Sequence, residues 1–350
     1  MVHVLLPWVL AVAVGAAGAL VGLAADRFAT SALLLHAEPL LLVLAVWGIA
    51  VLRWRGRPAL SVGLAVGTVA AVAAVRLPLP IVPASAEPPA WSGPVGRCAA
   101  ALDAPVDPVR LLQWTLDGHE DPATVRAVVA AAEANVVVLH GADPAVVGGA
   151  LESTGGESRM YPGVDGVPAT AIVAAGGFHP CGETLEWSDA MDTPEGYALS
   201  FVGVPPSTVF PLVVTRFPGP LPPGDWGARM SAATDRVVDA IAGLQGASTV
   251  LVADAPAPRT YRHLDGRMAA VGLASVPVPP SWPARVGPVP LLTLHPYGRM
   301  WAGPIWRVTR TSRVLAPEGT HAPVLAVLEG PRRPAVDGAG PPDQRIAPGE

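Results

Sequence analysis

Hydrophobic positions in this chain are distributed in two different ways. Up to residue 75 they form long unbroken runs, whereas from about residue 108 they fall into short apolar stretches separated by helical periodicity. The first run, residues 2–25, contains no Asp, Glu, Lys or Arg. The second, 29–52, carries only His36 and Glu38, and the third, 58–75, is again uncharged. Each approaches the roughly 20 apolar residues that a hydrocarbon core requires, so the pattern predicts three transmembrane helices. A cleaved signal is disfavoured because the first residues lack the Lys or Arg of an n-region and further runs follow. Arg53, Arg55 and Arg57 between the second and third runs predict a cytoplasmic loop there. The N-terminus is then cytoplasmic and everything beyond residue 76 is extracytoplasmic. Glu38, next to Pro39 near the outer end of its run, can reach the interface and is read as part of an anchor in the bilayer.

Residues 77–107 are rich in Pro and Ala without periodicity and predict a linker, and 331–350 predict a disordered tail. The interval 108–330 has the size of one domain. Its pattern predicts strands at 109–114, 135–141, 169–175, 197–204, 210–217 and 248–254, with later strands at 290–295, 304–310 and 321–328. Helices are predicted at 121–134, 225–244 and 259–271. Asp121-Pro122 and Asp143-Pro144 each supply an N-cap carboxylate followed by Pro at the first helical position. Hairpin-like and crossover-like connections both occur, so the fold class is α/β (α+β) with mixed sheets.

Composition supports this division. The chain is 51% hydrophobic and 15% charged with a mean hydropathy of +0.43, and its net charge is −5. No basic stripe accompanies that charge, which excludes the phosphate-neutralising surface of a nucleic-acid binder. Lysine is absent, and all 23 basic residues are Arg. Cys98 and Cys181 are the two thiols, and on an oxidising side of a membrane they are candidates for a disulfide. No nucleophile elbow, phosphate-binding loop, dinucleotide fingerprint or zinc-spaced Cys/His set occurs.

Six stretches do stand in an informative order: Trp114-Thr115 closing the first strand, His140-Gly141 closing the second, Arg216 closing "VTR", Ala253-Asp254-Ala255-Pro256, Trp306-Arg307 in "GPIWRV", and Gly319-Thr320-His321-Ala322-Pro323. Together they resemble the landmarks of the endonuclease/exonuclease/phosphatase family, metal-dependent phosphoesterases built as a four-layered sandwich of two packed sheets between helices. The resemblance covers about 108–330, and the three preceding spans resemble a membrane-anchored bacterial subgroup. It implies that Trp-Asn has become Trp114-Thr115 and that the Gln-Glu pair bearing the principal Mg2+ ligand has become His140-Gly141, with Gly141 in the place of the Glu. The phosphate-contacting His has become Arg216, and in the Gly-Asp-Phe-Asn turn Asp254 is kept while Pro256 replaces Asn. The late Asp-His pair reads Trp306-Arg307. In the Ser-Asp-His-x-Pro turn His321 is kept, with Thr320 in the place of its Asp.

On this reading Asp254 and His321 are retained catalytic positions, and Thr115, Gly141, Arg216, Pro256, Trp306 and Thr320 are substituted ones. Mg2+ wants hard oxygen ligands, and a general base wants an orienting carboxylate; neither is evident in the sequence. Other residues are candidates for the missing roles. His119-Glu120-Asp121 lies beyond the first strand, with Asp121 better explained as an N-cap, and Glu183, Glu186 or Asp189 would have to be relocated metal ligands. His140, His295, Arg216 and Arg307 would form a cationic pocket for an anionic ligand if the fold gathers them. Three readings follow: a membrane-tethered pseudoenzyme that binds a protein or an anionic ligand without a cofactor, an active Mg2+-dependent phosphodiesterase or phosphatase, and a structural membrane component.

Overall fold

The computed structural model describes residues 2–24, 38–76, 108–161, 169–175, 179–185, 197–204, 208–217, 226–243, 249–255, 262–282, 285–286, 289–290 and 297–330. Three helices come first: α1 (Val2–Ala24), α2 (Glu38–Trp54) and α3 (Pro58–Arg76), with α3 packed on both others. Their positions follow the apolar runs. Among the described residues no helix is long and apolar enough to cross a membrane. The expected three-span anchor in a bilayer, with a cytoplasmic N-terminus and an extracytoplasmic domain, is therefore corrected. The linker 77–107, the tail 331–350 and Cys98 lie outside the described residues, and so does the Cys98–Cys181 pairing.

From residue 108 the short apolar stretches form two six-stranded sheets. The first contains β1 (Val109–Thr115), β2 (Val136–His140), β3 (Glu157–Tyr161), β4 (Thr170–Ala174), β13 (Arg307–Arg313) and β14 (Val324–Glu329), in the order β13-β14-β1-β2-β4-β3. The second contains β5 (His179–Leu185), β6 (Tyr197–Val204), β7 (Thr208–Arg216), β8 (Val250–Asp254), β9 (Ala274–Val276) and β12 (Gly298–Ala302), in the order β5-β6-β7-β8-β12-β9. Two short strands, β10 (Arg285–Val286) and β11 (Val289–Pro290), pair separately. In each sheet the central pair, β1 with β2 and β7 with β8, is parallel while its other neighbours run antiparallel, so both sheets are mixed as expected.

Alternation along the strands separates three cores. Leu111, Val138, Ile172 and Ala326 of the first sheet face Leu212, Val214, Val252 and Met300 of the second, giving the inner core between the sheets. Leu112, Trp114 and Leu139 point the other way, onto α4 (Pro122–Ala132) and α5 (Pro144–Thr154), where they meet Val125, Val129 and Val147. Val213, Leu251 and Trp301 meet Trp226, Met230 and Ile241 of α6 (Trp226–Gly243) and Leu264 and Met268 of α7 (Arg262–Ala270). Helix, sheet, sheet and helix make the four layers. Asp121 and Asp143 cap α4 and α5 as their sequence predicts, accepting from Ala123 N at 3.3 Å and Val146 N at 2.9 Å.

Candidate functional site

The inner faces of the central strands are apolar along their length and turn polar at one end. On β1 the inward residues run Val109, Leu111, Gln113 and Thr115, and on β2 they run Val136, Val138 and His140, with Thr115 registered on His140. On β7 and β8 the same parity ends in Arg216 registered on Asp254. Asp254 in turn registers on Gly298, the first residue of β12. Two sheets thus bring Gln113, Thr115, His140, Arg216 and Asp254 to one cleft at the end of the sandwich.

Gln113 is buried and spans the two sheets. Its Nε2 donates to Ala253 O at 2.6 Å and faces His140 Nε2 at 3.4 Å. The carbonyl of Ala253 fixes which end of the amide is the donor, so His140 Nε2 is the acceptor. The ring proton then sits on Nδ1, 3.5 Å from Thr170 Oγ1. His140 is completely buried, and desolvation together with the nearby Arg216 charge pulls its pKa down to about 3, which makes it a neutral imidazole. Gly298 is required beneath this amide, because a Cβ there would stand 2.8 Å from Gln113 Oε1.

Asp254 is fully buried at the centre of the cleft. Its Oδ1 accepts from Thr115 Oγ1 at 3.4 Å, and its Oδ2 lies 3.1 Å from Arg216 Nε. The Arg216 N–H is not aligned with Oδ2, so this is an ion pair that leaves Oδ2 without a hydrogen bond. Burial raises the Asp254 pKa to about 6, against the opposing effects of Arg216 and the Thr115 hydrogen bond.

His321 closes the cleft. Its carbonyl accepts from Trp114 Nε1 at 3.0 Å, and its ring lies 4.3 Å from that of Tyr297 and 6.4 Å from that of Trp282. The sequence suggested that this His had lost its acidic partner when Thr320 replaced the neighbouring Asp. The structure supplies one from another element. Asp117, in the loop after β1, places Oδ1 3.7 Å from His321 Nε2, an ion pair only when the ring is protonated, and holds Thr320 by both its N–H at 2.5 Å and its Oγ1 at 2.9 Å. Burial lowers the His321 pKa to about 4, with Asp117 working against that shift and Arg216 adding to it. The Tyr297 hydroxyl is pushed up by burial first, then by Asp254 and Asp117, with Arg216 opposing, and stays protonated.

The loop carrying Asp117 is built around Glu120. That buried carboxylate accepts from the backbone N–H groups of Asp117 at 3.0 Å, Gly118 at 3.1 Å and His119 at 3.2 Å. Asp121 N donates to Glu318 Oε2 at 3.2 Å, which ties this loop to the one bearing His321. Of the candidate metal cluster His119, Glu120 and Asp121, Glu120 is consumed by the backbone, Asp121 caps α4, and His119 is exposed.

Solved structures share this arrangement of layers. An endonuclease/exonuclease/phosphatase from Bacteroides vulgatus superposes with a TM-score of 0.51 at 12% identity, covering 64% of this chain and 99% of that one. A family protein from Bacteroides thetaiotaomicron gives 0.51 at 10% identity, with 64% and 98% covered. One from Beutenbergia cavernae gives 0.50 at 16% identity, with 64% and 72% covered. The domain has the endonuclease/exonuclease/phosphatase fold. No family model and no curated protein matches the sequence.

Within this endonuclease/exonuclease/phosphatase fold several expected positions move. His321, Asp254, Thr115 and Arg216 do converge. In the pair at the end of β2, His140 enters the cleft, whereas Gly141 turns away with φ +82 and has no room for a Cβ, which would stand 2.6 Å from Leu116 O. Trp306 is not at the site: it packs edge-on against Phe210 at 5.1 Å in the inner core. Arg307 is exposed and registers on Glu329, at the far end of β14 from His321, so it does not join Arg216. The late strand that reaches the cleft is β12, through Tyr297 and Gly298. Pro256, His295, Glu186 and Asp189 lie outside the described residues, and so does the side chain of Glu183. The expected cationic pocket is thus not assembled by its described members, since His140 is neutral and Arg307 is remote.

Sequence reasoning missed Gln113, Asp117 and Tyr297. Asp117-Gly118 is a turn signal two residues beyond Thr115 and was legible as such; Gln113 and Tyr297 carry no local signal. The Mg2+ that the sequence resemblance implies does not fit the described residues of the site. Asp254 already faces a guanidinium, Glu120 is saturated by three N–H groups, and Asp117 holds Thr320. Among the described residues no three His, Cys, Asp or Glu side chains are grouped to hold a metal ion.

Proposed function

We propose that this chain is a pseudoenzyme, an endonuclease/exonuclease/phosphatase fold kept as a binding scaffold whose cleft holds a ligand without hydrolysing it. The observation that carries this reading is the Arg216–Asp254 ion pair. In-line attack on a phosphoester needs a nucleophilic water held by a free carboxylate or metal, and concentrated positive charge on the transferring group. Here the central carboxylate is engaged by an internal cation instead.

What remains suits binding. The Arg216 side chain is 28% exposed, and among the described residues no hydrogen bond or ion pair holds its two Nη nitrogens. An incoming oxoanion, a carboxylate or phosphate on a protein or a small molecule, is matched by that planar pair of donors. His321 stands beside it as a neutral ring with an unpartnered Nδ1.

One observation favours a hydrolytic second reading: Asp117 restores a carboxylate beside His321, as a general acid or base requires. The experiment that decides is a hydrolysis assay of the full chain and of His321→Ala. The substrates are p-nitrophenyl phosphate and bis-p-nitrophenyl phosphate, each with Mg2+ or Mn2+. A scaffold releases nitrophenolate no faster than buffer in either form. Turnover by the wild type that His321→Ala abolishes would overturn the pseudoenzyme reading.

A further inference from the structure

Two oxygen acceptors in the cleft have no hydrogen bond. Gln113 Oε1 and Asp254 Oδ2 are both buried without a hydrogen bond, on side chains 2% and 0% exposed. Both belong to the same end of the sandwich: Gln113 donates to the carbonyl of Ala253, the residue before Asp254, and its Oε1 lies over Gly298, the strand partner of Asp254. Thr115 Oγ1 reaches Asp254 Oδ1 from the same side. A carboxylate, an amide oxygen and a hydroxyl are the kinds of oxygen ligand that a hard cation takes. The cation present is the Arg216 guanidinium, 3.1 Å from Asp254 Oδ2 and close enough for its charge to be felt at His140, Tyr297 and His321 as well.

We propose that the guanidinium of Arg216 takes over the charge role of a divalent cation among Gln113, Thr115 and Asp254, so that the native cleft is metal-independent and removing Arg216 uncovers a site for Mn2+ or Mg2+. The inference rests on the scaffold reading and deepens it, because it says why the cleft is stable without a metal and what keeps one out. A buried carboxylate with no counter-charge is costly, and an Arg fixed at the end of a central strand supplies the charge permanently. Its misaligned N–H explains why Oδ2 keeps a lone pair open, since a guanidinium carried on β7 cannot sit where a small spherical ion would.

The test uses the full chain and Mn2+ alone, read by the electron paramagnetic resonance signal of free Mn2+ and by isothermal titration. Wild type is expected to leave the Mn2+ signal unchanged, whereas Arg216→Gln and Arg216→Met bind it at least about tenfold more tightly. Arg216→Lys keeps the charge and is expected to behave as wild type, and Arg216→Gln/Asp254→Asn is expected to lose the gain. Thermal unfolding with and without Mn2+ gives a second readout, since a site formed in the folded state raises the midpoint of Arg216→Gln and not of wild type. Saturable binding by wild type at the affinity of Arg216→Gln overturns the proposal, as does a folded Arg216→Gln or Arg216→Met that ignores Mn2+. Failure of the scaffold reading is seen separately, as turnover by wild type in the hydrolysis assay.

Discussion

The imidazole of His140 is completely buried between the sheets, and its protonation is the reaction by which acid should attack this fold. Its pKa is about 3 in the folded chain against 6.5 for an unperturbed ring. Between those values the unfolded chain holds a proton that the native one refuses, so stability is fully present above pH 6.5 and falls as pH drops. From pH 6.5 to 4.5 two pH units separate the states, and at 1.36 kcal/mol per unit this residue alone costs about 3 kcal/mol. His321, at about 4, titrates with the same sign, whereas Asp254, raised from 3.8 to about 6, has the opposite one: its folded state takes up a proton first and offsets part of the loss. The perturbation that isolates His140 is His140→Asn, which keeps an amide to face Gln113 and Thr170 but cannot titrate. At neutral pH the variant should be destabilised by about 1 kcal/mol through poorer hydrogen bonds. By pH 4.5 the order should reverse, the variant gaining about 3 kcal/mol relative to wild type. Urea unfolding of both proteins at a series of pH values measures this difference, and acid effects elsewhere in the molecule cancel between them. Parallel stability curves from pH 6.5 to 4.5 would refute the reasoning, because His140 would then titrate equally in both states.

Three further outcomes follow from the same geometry. Glu120→Ala strips the acceptor from three backbone N–H groups and should cost about 3 kcal/mol or more in thermal or urea unfolding, with the Asp117 loop losing hydrogen-exchange protection first. Asp117→Asn removes the charge that holds the His321 pKa up, so an NMR titration should find the ring still harder to protonate, at a stability cost of about 1 kcal/mol through the Thr320 contacts. Gly319→Ala meets both a left-handed backbone at φ +84 and Glu120 Oε1, 2.7 Å from the new methyl, and should cost about 1–3 kcal/mol from the backbone alone in the same unfolding assay.

Much of the fold was legible because local rules decided it. Buried strands such as Val136–His140 and Val250–Asp254 are nearly continuous apolar runs, and Asp-Pro pairs announce α4 and α5. Where the local signal was weak the expectation slipped. Gly298–Ala302 reads as Gly-Arg-Met-Trp-Ala and passed unnoticed as a strand, although it carries the third wall of the cleft. Arg307–Arg313 begins three residues later than expected at 304, and Trp306 before it belongs to the inner core. The apolar runs before residue 76 do become helices, but no described one is long and apolar enough to span a bilayer.

By itself the sequence determined which residues alternate toward a core and where two helices are capped; these follow from backbone periodicity and residue chemistry within a few neighbours. Only the tertiary structure decided which side chains meet at the site. Asp117 and His321 are about 200 positions apart in the chain and meet only because β1 and β14 are neighbours in one sheet. Gln113 reaches Ala253 only because two sheets pack face to face. The pairing of Arg216 with Asp254 depends on a parallel register that ends both strands at the same level. Through-space charge and burial, which set the protonation of His140, Asp254 and His321, are properties of that packing and have no counterpart along the chain.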